Sequence, residues 1–172
     1  DTVCTGIIWF VPSGFKWLME HTLSVARLCD YMASAYPVIK RDMLITAALL
    51  HDVGKTRELS SFPLNDYTDE GQLLGHIIIG AQMIHDLIKE IPDFPLDLEN
   101  QLVHCILAHH GELEYGSPKK PAMVEAVALN LADNTDARME TLTEIFAADK
   151  SKKEWLGFNR IFESNLRKTG EW

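Results

Sequence analysis

Between Asp42 and Lys55 the chain reads DMLITAALLHDVGK. Leu44, Ala47, Ala48 and Leu50 recur at helical spacing, so this run is the inward face of a helix. It ends on an imidazole beside a carboxylate, His51-Asp52, and neither group gains from an apolar core. A charged aspartate is costly to bury unless it is paired or bound to a cation. Any fold that buries this helix must therefore bring a partner for Asp52 to its C-terminal end.

The rest of the chain repeats the helical period. Residues 15–36 carry Leu18, Thr22, Val25, Leu28, Cys29 and Met32 on one stripe, with His21 on or beside it, and Pro37 closes the segment. Helices are expected over about 40–51, 72–90, 97–110 and 121–138, with weaker helical stretches near 139–147 and 156–168. Gly54 suits a left-handed turn after the second helix. KTRELSSFPLNDYTDEGQLLG reads as a long loop with room for a short hairpin, and GELEYGSPKKP as another loop. With no convincing strand and no internal repeat, the expected fold class is all-α, a helical bundle with long interhelical loops.

At 172 residues, 47% hydrophobic and 24% charged, the chain suits one globular domain with a core of its own. Cys4, Cys29 and Cys105 are odd in number and show no CxxC spacing, so neither a disulfide framework nor a cysteine zinc site is suggested, which fits a cytoplasmic setting. GIIWFV is too short to span a bilayer, so no membrane partner is expected. A net charge of −9 works against long-range steering of phosphate polyanions by the whole surface.

Five helical segments deliver a histidine or a carboxylate to an inward face or a helix end: His21, His51-Asp52, His76, His109-His110 and Asp133. Taken singly, a histidine on an apolar face usually satisfies a core hydrogen bond. Together, imidazole and carboxylate are typical ligands for first-row metals.

The order His21, then His51-Asp52 followed by Gly54-Lys55, then Asp133 resembles the HD-domain metal-dependent phosphohydrolases. LLGH at 73–76, LAHHGELEYGSPKKP at 107–121 and LADNTDARM at 131–139 are similar, more specifically, to the HD domain of the YhaM-type 3′-to-5′ exoribonucleases. The match runs over about 16–138, and the whole chain, 1–172, is expected to be one HD domain. The resemblance implies two divalent metal ions. His21, His51, Asp52 and Asp133 would hold the first, and Asp52 would bridge to a second held by His76 with His109, His110 or both. His109 is favoured because it continues the apolar stripe, and adjacent helix residues diverge by about 100°. Histidine and aspartate without thiolate leave Mn, Fe, Co, Ni and Mg all open.

Asp52 would be the catalytic carboxylate. Lys55 would meet a non-bridging phosphate oxygen, or else simply complement a helix C-terminus. Lys119 and Lys120 would contact a substrate backbone or only solvent, and Trp17 and Tyr115 would stack on bases or only pack. His85 and His104 lie outside the family pattern and are expected to be structural. The family's further His-His pair is expected where this chain has FVPSGF, Phe10 to Phe15, and it is absent; the OB domain ahead of the HD domain in full exoribonucleases has no counterpart here either.

The implied activity is hydrolysis of phosphate esters in nucleotides or at nucleic-acid 3′ ends, with single-stranded RNA or DNA as substrate and exoribonuclease action the specific expectation. The alternatives are a hydrolase of cyclic dinucleotides or nucleoside phosphates and a non-catalytic, nucleotide-binding regulatory HD module. The oligomeric state is open.

Overall fold

The structure is a computed structural model that describes residues 13–60, 66–151 and 153–170. GIIWFV, the start of FVPSGF and residues 61–65 of the first long loop lie outside them. Among the described residues six α-helices follow one another: α1 (Ser13–Ala35), α2 (Arg41–Leu50), the short α3 (Lys55–Glu58), α4 (Asp69–Lys89), α5 (Leu96–Ala108) and α6 (Val124–Ala148). A 3-10 turn covers Leu113–Tyr115, and two short strands, β1 (Trp155–Asn159) and β2 (Ser164–Arg167), end the order. The all-α class holds, with one small hairpin added. Among the described residues no helix is long and apolar enough to cross a membrane.

The chain clusters into two compact units, Asp1–Asp136 and Ala137–Trp172. In the first, α1 packs on α2, α2 on α5, α3 on α4 and α4 on α5. Its core draws Val25 and Cys29 from α1, Leu44, Ala47 and Ala48 from α2, Ile84 and Ile88 from α4, Leu102, Cys105 and Ile106 from α5, and Ala126, Leu129 and Ala132 from α6. Leu50, expected inside, is only half-buried. Glu125 ties α6 to the start of α2 by accepting the Lys40 backbone N–H at 2.8 Å, which satisfies one of the amides a helix N-terminus leaves unpaired. Thr68 does the same for α4, its hydroxyl accepting from Gly71 N at 2.9 Å.

Four expectations change. Gly54 is right-handed, φ −61°, not left-handed. Its glycine is required by packing: a Cβ there would collide with the His76 carbonyl and the Gly80 amide nitrogen, so α4 can lie directly on the turn after α2. The helix expected over 72–90 begins at Asp69 and breaks at Gly75, whose φ of 71° and ψ of 156° are closed to residues with a side chain. The stretches expected separately over 121–138 and 139–147 are one helix, α6. The expected helix at 156–168 is the antiparallel β1–β2 hairpin, because Gly157 weakens a helix while Trp155, Phe158 and Leu166 suit a pleated surface. The first long loop contains α3 and an antiparallel bridge, Leu59 to Tyr67.

Candidate metal centre

Two of the histidines close helices by the same device. A helix C-terminus leaves its last carbonyls without intrahelical partners. At the end of α2, His51 Nδ1 donates to the Ala48 carbonyl at 2.7 Å; at the end of α5, His109 Nδ1 donates to the Ile106 carbonyl at 2.6 Å. Each bond fixes the tautomer and turns Nε2, with its lone pair, inward. Both rings are fully buried. The helix expected to run to residue 110 thus stops at Ala108, and His109 and His110 sit on the turn beyond it. His110 Nδ1 donates to the Tyr115 carbonyl at 2.8 Å.

The other two histidines use carboxylates for the same purpose. His21 Nδ1 meets Asp136 Oδ2 at 2.7 Å, and Asp136 also accepts from the Ser24 hydroxyl. His76 Nδ1 lies 3.2 Å from Glu58 Oε1, which accepts the His76 backbone N–H as well, at 3.0 Å. The break at Gly75 explains this second bond, since it frees the amide at the head of the restarted helix for a side-chain cap. Asp136 and Glu58 were not among the sequence candidates. Asp136 had a signal, one helical turn after Asp133; Glu58 had none, because its approach to His76 depends on the kink.

The inward nitrogens form two groups. His21, His51 and Asp133 bring ligand atoms within 4.8 Å of one another, and so do His76, His109 and His110. His21 Nε2 stands 3.1 Å from Asp133 Oδ1 and 3.3 Å from His51 Nε2. Asp52 lies between the groups and is buried. Its Oδ2 is 3.6 Å from His21 Nε2 and 3.5 Å from His51 Nε2, whereas its Oδ1 is 3.6 Å from His76 Nε2 and 3.8 Å from His109 Nε2. Asp52 Oδ1, His76 Nε2 and His109 Nε2 are buried with no hydrogen-bond partner. Three such atoms converging on one space are what a bound cation would satisfy. The donor set, imidazole nitrogen and carboxylate oxygen, fits divalent first-row metals and Mg.

The electrostatics agree. Burial alone would raise the Asp52 carboxyl, but His51 and the Lys55 ammonium, 2.6 Å from Oδ2, hold it below the usual carboxylate range. Burial would likewise raise Asp133, but the His21 bond together with the nearby His51 and His109 holds that carboxyl down too. Burial, with His51 and His110 nearby, pushes His109 down to about 3, and burial pushes His76 down. At neutral pH His76 and His109 therefore present Nε2 lone pairs.

Lys55 also lies over the Trp17 ring, 5.1 Å from its centroid, and Trp17 stacks parallel on His21 at 5.4 Å while remaining half exposed. Lys119 and Lys120 are exposed on the loop before α6, where Lys120 pairs with Glu112 at 2.5 Å and Lys119 lies close enough to His104 to oppose its protonation. Tyr115 is exposed. His85 pairs with Glu99 and His104 accepts the Ala122 amide at 2.9 Å, so both have local partners.

The family model for the HD domain matches residues 18–138. The chain is 42% identical over 127 residues to the 3′-5′ exoribonuclease YhaM of Bacillus subtilis, covering 73% of this chain and 40% of that protein. To the protein of the same name from Bacillus velezensis it is 44% identical over 124 residues, 71% and 38% of the two chains, and to that of Shouchella clausii 42% over 127 residues, 73% and 39%. The chain spans about two-fifths of the length of these relatives. No solved structure matches it. With the match running from within α1 to the part of α6 that bears Asp133 and Asp136, the chain belongs to the HD-domain family.

Proposed function

We propose that this HD domain hydrolyses phosphodiesters with two divalent cations and that its substrate is the 3′ end of a single-stranded RNA. The observation that carries the reading is Asp52, whose two oxygens face two different groups of histidines, with Oδ1 lacking any other partner. His21, His51 and Asp133 with Asp52 would hold one cation, and His76, His109 and His110 with Asp52 the other. Such a pair lowers the pKa of a shared water and stabilises both oxygens of an in-line displacement at phosphorus.

The chain's own groups supply the rest. Asp136 and Glu58 hold His21 and His76 in the tautomer that leaves Nε2 free. Lys55, with a side chain one-fifth exposed, keeps Asp52 ionised and stands where a non-bridging phosphate oxygen would gain from its charge. The thiols of Cys29 and Cys105, pushed up to about 12 by burial, are not competing nucleophiles. RNA as the substrate class, and the direction of attack, are supported by the names of the relatives.

The test is a substrate panel on protein stripped with chelator and reloaded with Mn. Single-stranded RNA labelled at its 5′ end should shorten from the 3′ end only after reloading. Turnover of a cyclic dinucleotide or a nucleoside monophosphate with RNA left intact would replace the RNA reading, and metal uptake without turnover of any member would replace the enzymatic one.

A further inference from the structure

The second unit differs in charge from the first. Residues 137–172 carry seven Lys or Arg against six Asp or Glu, a net +1, while residues 1–136 carry nine against 19, a net −10. This slightly basic unit holds the hairpin, and two of the hairpin's largest apolar side chains face solvent, Trp155 at 57% and Phe158 at 67% exposure.

A β-bulge puts those two rings on one face. Trp155 pairs with Arg167, Gly157 with Leu166 and Phe158 with Asn165, which leaves Leu156 outside the ladder. Successive residues of a strand point to opposite faces, so Asn165 and Arg167 share a face, and so do their partners Phe158 and Trp155. Without the bulge, positions 155 and 158, three apart, would point to opposite sides. Along the ladder they lie two steps apart, about 7 Å at the usual strand rise. The Arg167 guanidinium lies 5.9 Å from the Trp155 centroid, and Lys153 and Arg160 are exposed at the two ends of β1. The opposite face bears the half-buried Asn159 and Leu166.

Exposed aromatic rings with basic groups around them are the elements from which sequence-tolerant single-strand surfaces are built: bases stack on the rings, and cations follow the phosphates. We propose that the Trp155–Phe158 face of the β1–β2 hairpin is a binding surface for single-stranded RNA, with two bases stacked on the rings and Lys153, Arg160 and Arg167 along the backbone. The proposal rests on the RNA reading above. It also gives a chain of net −9 a local region of the sign that a polyanion requires.

The experiment measures binding of fluorescein-labelled oligouridylate to the full chain by anisotropy, with chelator present so that the strand is not consumed. Trp155→Ala with Phe158→Ala should weaken binding by at least about tenfold, whereas Trp155→Phe with Phe158→Tyr retains it. Lys153→Glu with Arg160→Glu leaves both rings in place; it should weaken binding and flatten the dependence of log affinity on log salt. Hydrolysis of bis(p-nitrophenyl) phosphate by the Mn-loaded protein should be unchanged in all three variants, which also shows that the HD centre is intact. Undiminished affinity in both the alanine and the glutamate variants, or no oligouridylate binding by the parent, overturns the proposal. Unchanged affinity together with the loss of a dimer by the alanine variant would assign the face to a second copy of the chain and overturn it too. If RNA binds through the hairpin and is not shortened when Mn is restored, the surface stands and the exoribonuclease reading fails.

Discussion

Gly54 and His76 touch through their backbones: the turn after the His51-Asp52 pair lies so close to the His76 carbonyl that no Cβ can be accommodated between them. This contact fixes the distance between the Asp52 carboxylate and one histidine of the second group. Gly54→Ala must push α4 away, at a cost of about 1–3 kcal/mol of stability. The displacement moves His76 and leaves His21, His51 and Asp133 untouched, so of the two proposed metal sites the one that includes His76 should weaken well before the other. Isothermal titration with Mn should resolve this as a selective loss of one site; equal weakening of both would mean that the contact does not set the geometry.

Glu58 and Asp136 orient histidines without joining either group of inward atoms. Loss of such an orienting carboxylate typically lowers metal affinity by about 10- to 100-fold. Glu58→Gln should therefore weaken the His76 site and Asp136→Asn the His21 site, each by that order, with the helical circular dichroism retained. Identical metal affinities in these variants and the parent would assign both carboxylates to structure alone.

The buried imidazoles make the metal-free protein acid-sensitive. His109 is held down to about 3 and His76 is also lowered, so an unfolded chain, with histidines near 6.5, binds more protons below that pH than the folded one does. Stability must then fall as the pH drops. His21 acts in the opposite sense: burial works against its proton, but hydrogen bonds to Asp133 and Asp136 raise its pKa, a contribution present below 6.5 and lost as pH rises through the raised folded value. The shift of His109 dominates, and between pH 6.5 and 5 the chelator-treated protein should lose about 1–2 kcal/mol. Urea midpoints across that range check this; a midpoint constant or rising towards pH 5 would show that His109 is not buried neutral.

The parts of this molecule that were legible in the sequence are those governed by a local period. The apolar stripes located α1, α2, α4, α5 and the first half of α6 to within a few residues, and the histidines and aspartates at their ends marked the positions that come together in space. What was not legible depends on contacts between elements. Glu58 reaches His76 only because Gly75 breaks α4, and a single glycine in an apolar run does not announce a kink. Gly54 is a packing glycine whose partner, α4, is some twenty residues away in the chain, so a local turn was the natural and incorrect reading. The hairpin was missed because its apolar residues are few and its bulge removes the strict alternation by which a strand is recognised.

In the proposed centre Asp52 divides its two oxygens between two cations. Crystals of the full chain grown with Mn and measured at the Mn absorption edge decide it. Two anomalous peaks are predicted, one among His21, His51 and Asp133 and one among His76, His109 and His110, with Asp52 contacting both; in Asp52→Asn the shared contact should be lost and occupancy should fall at both. A single peak in the parent, or two peaks of full occupancy with wild-type turnover in Asp52→Asn, would show that Asp52 does not bridge two cations.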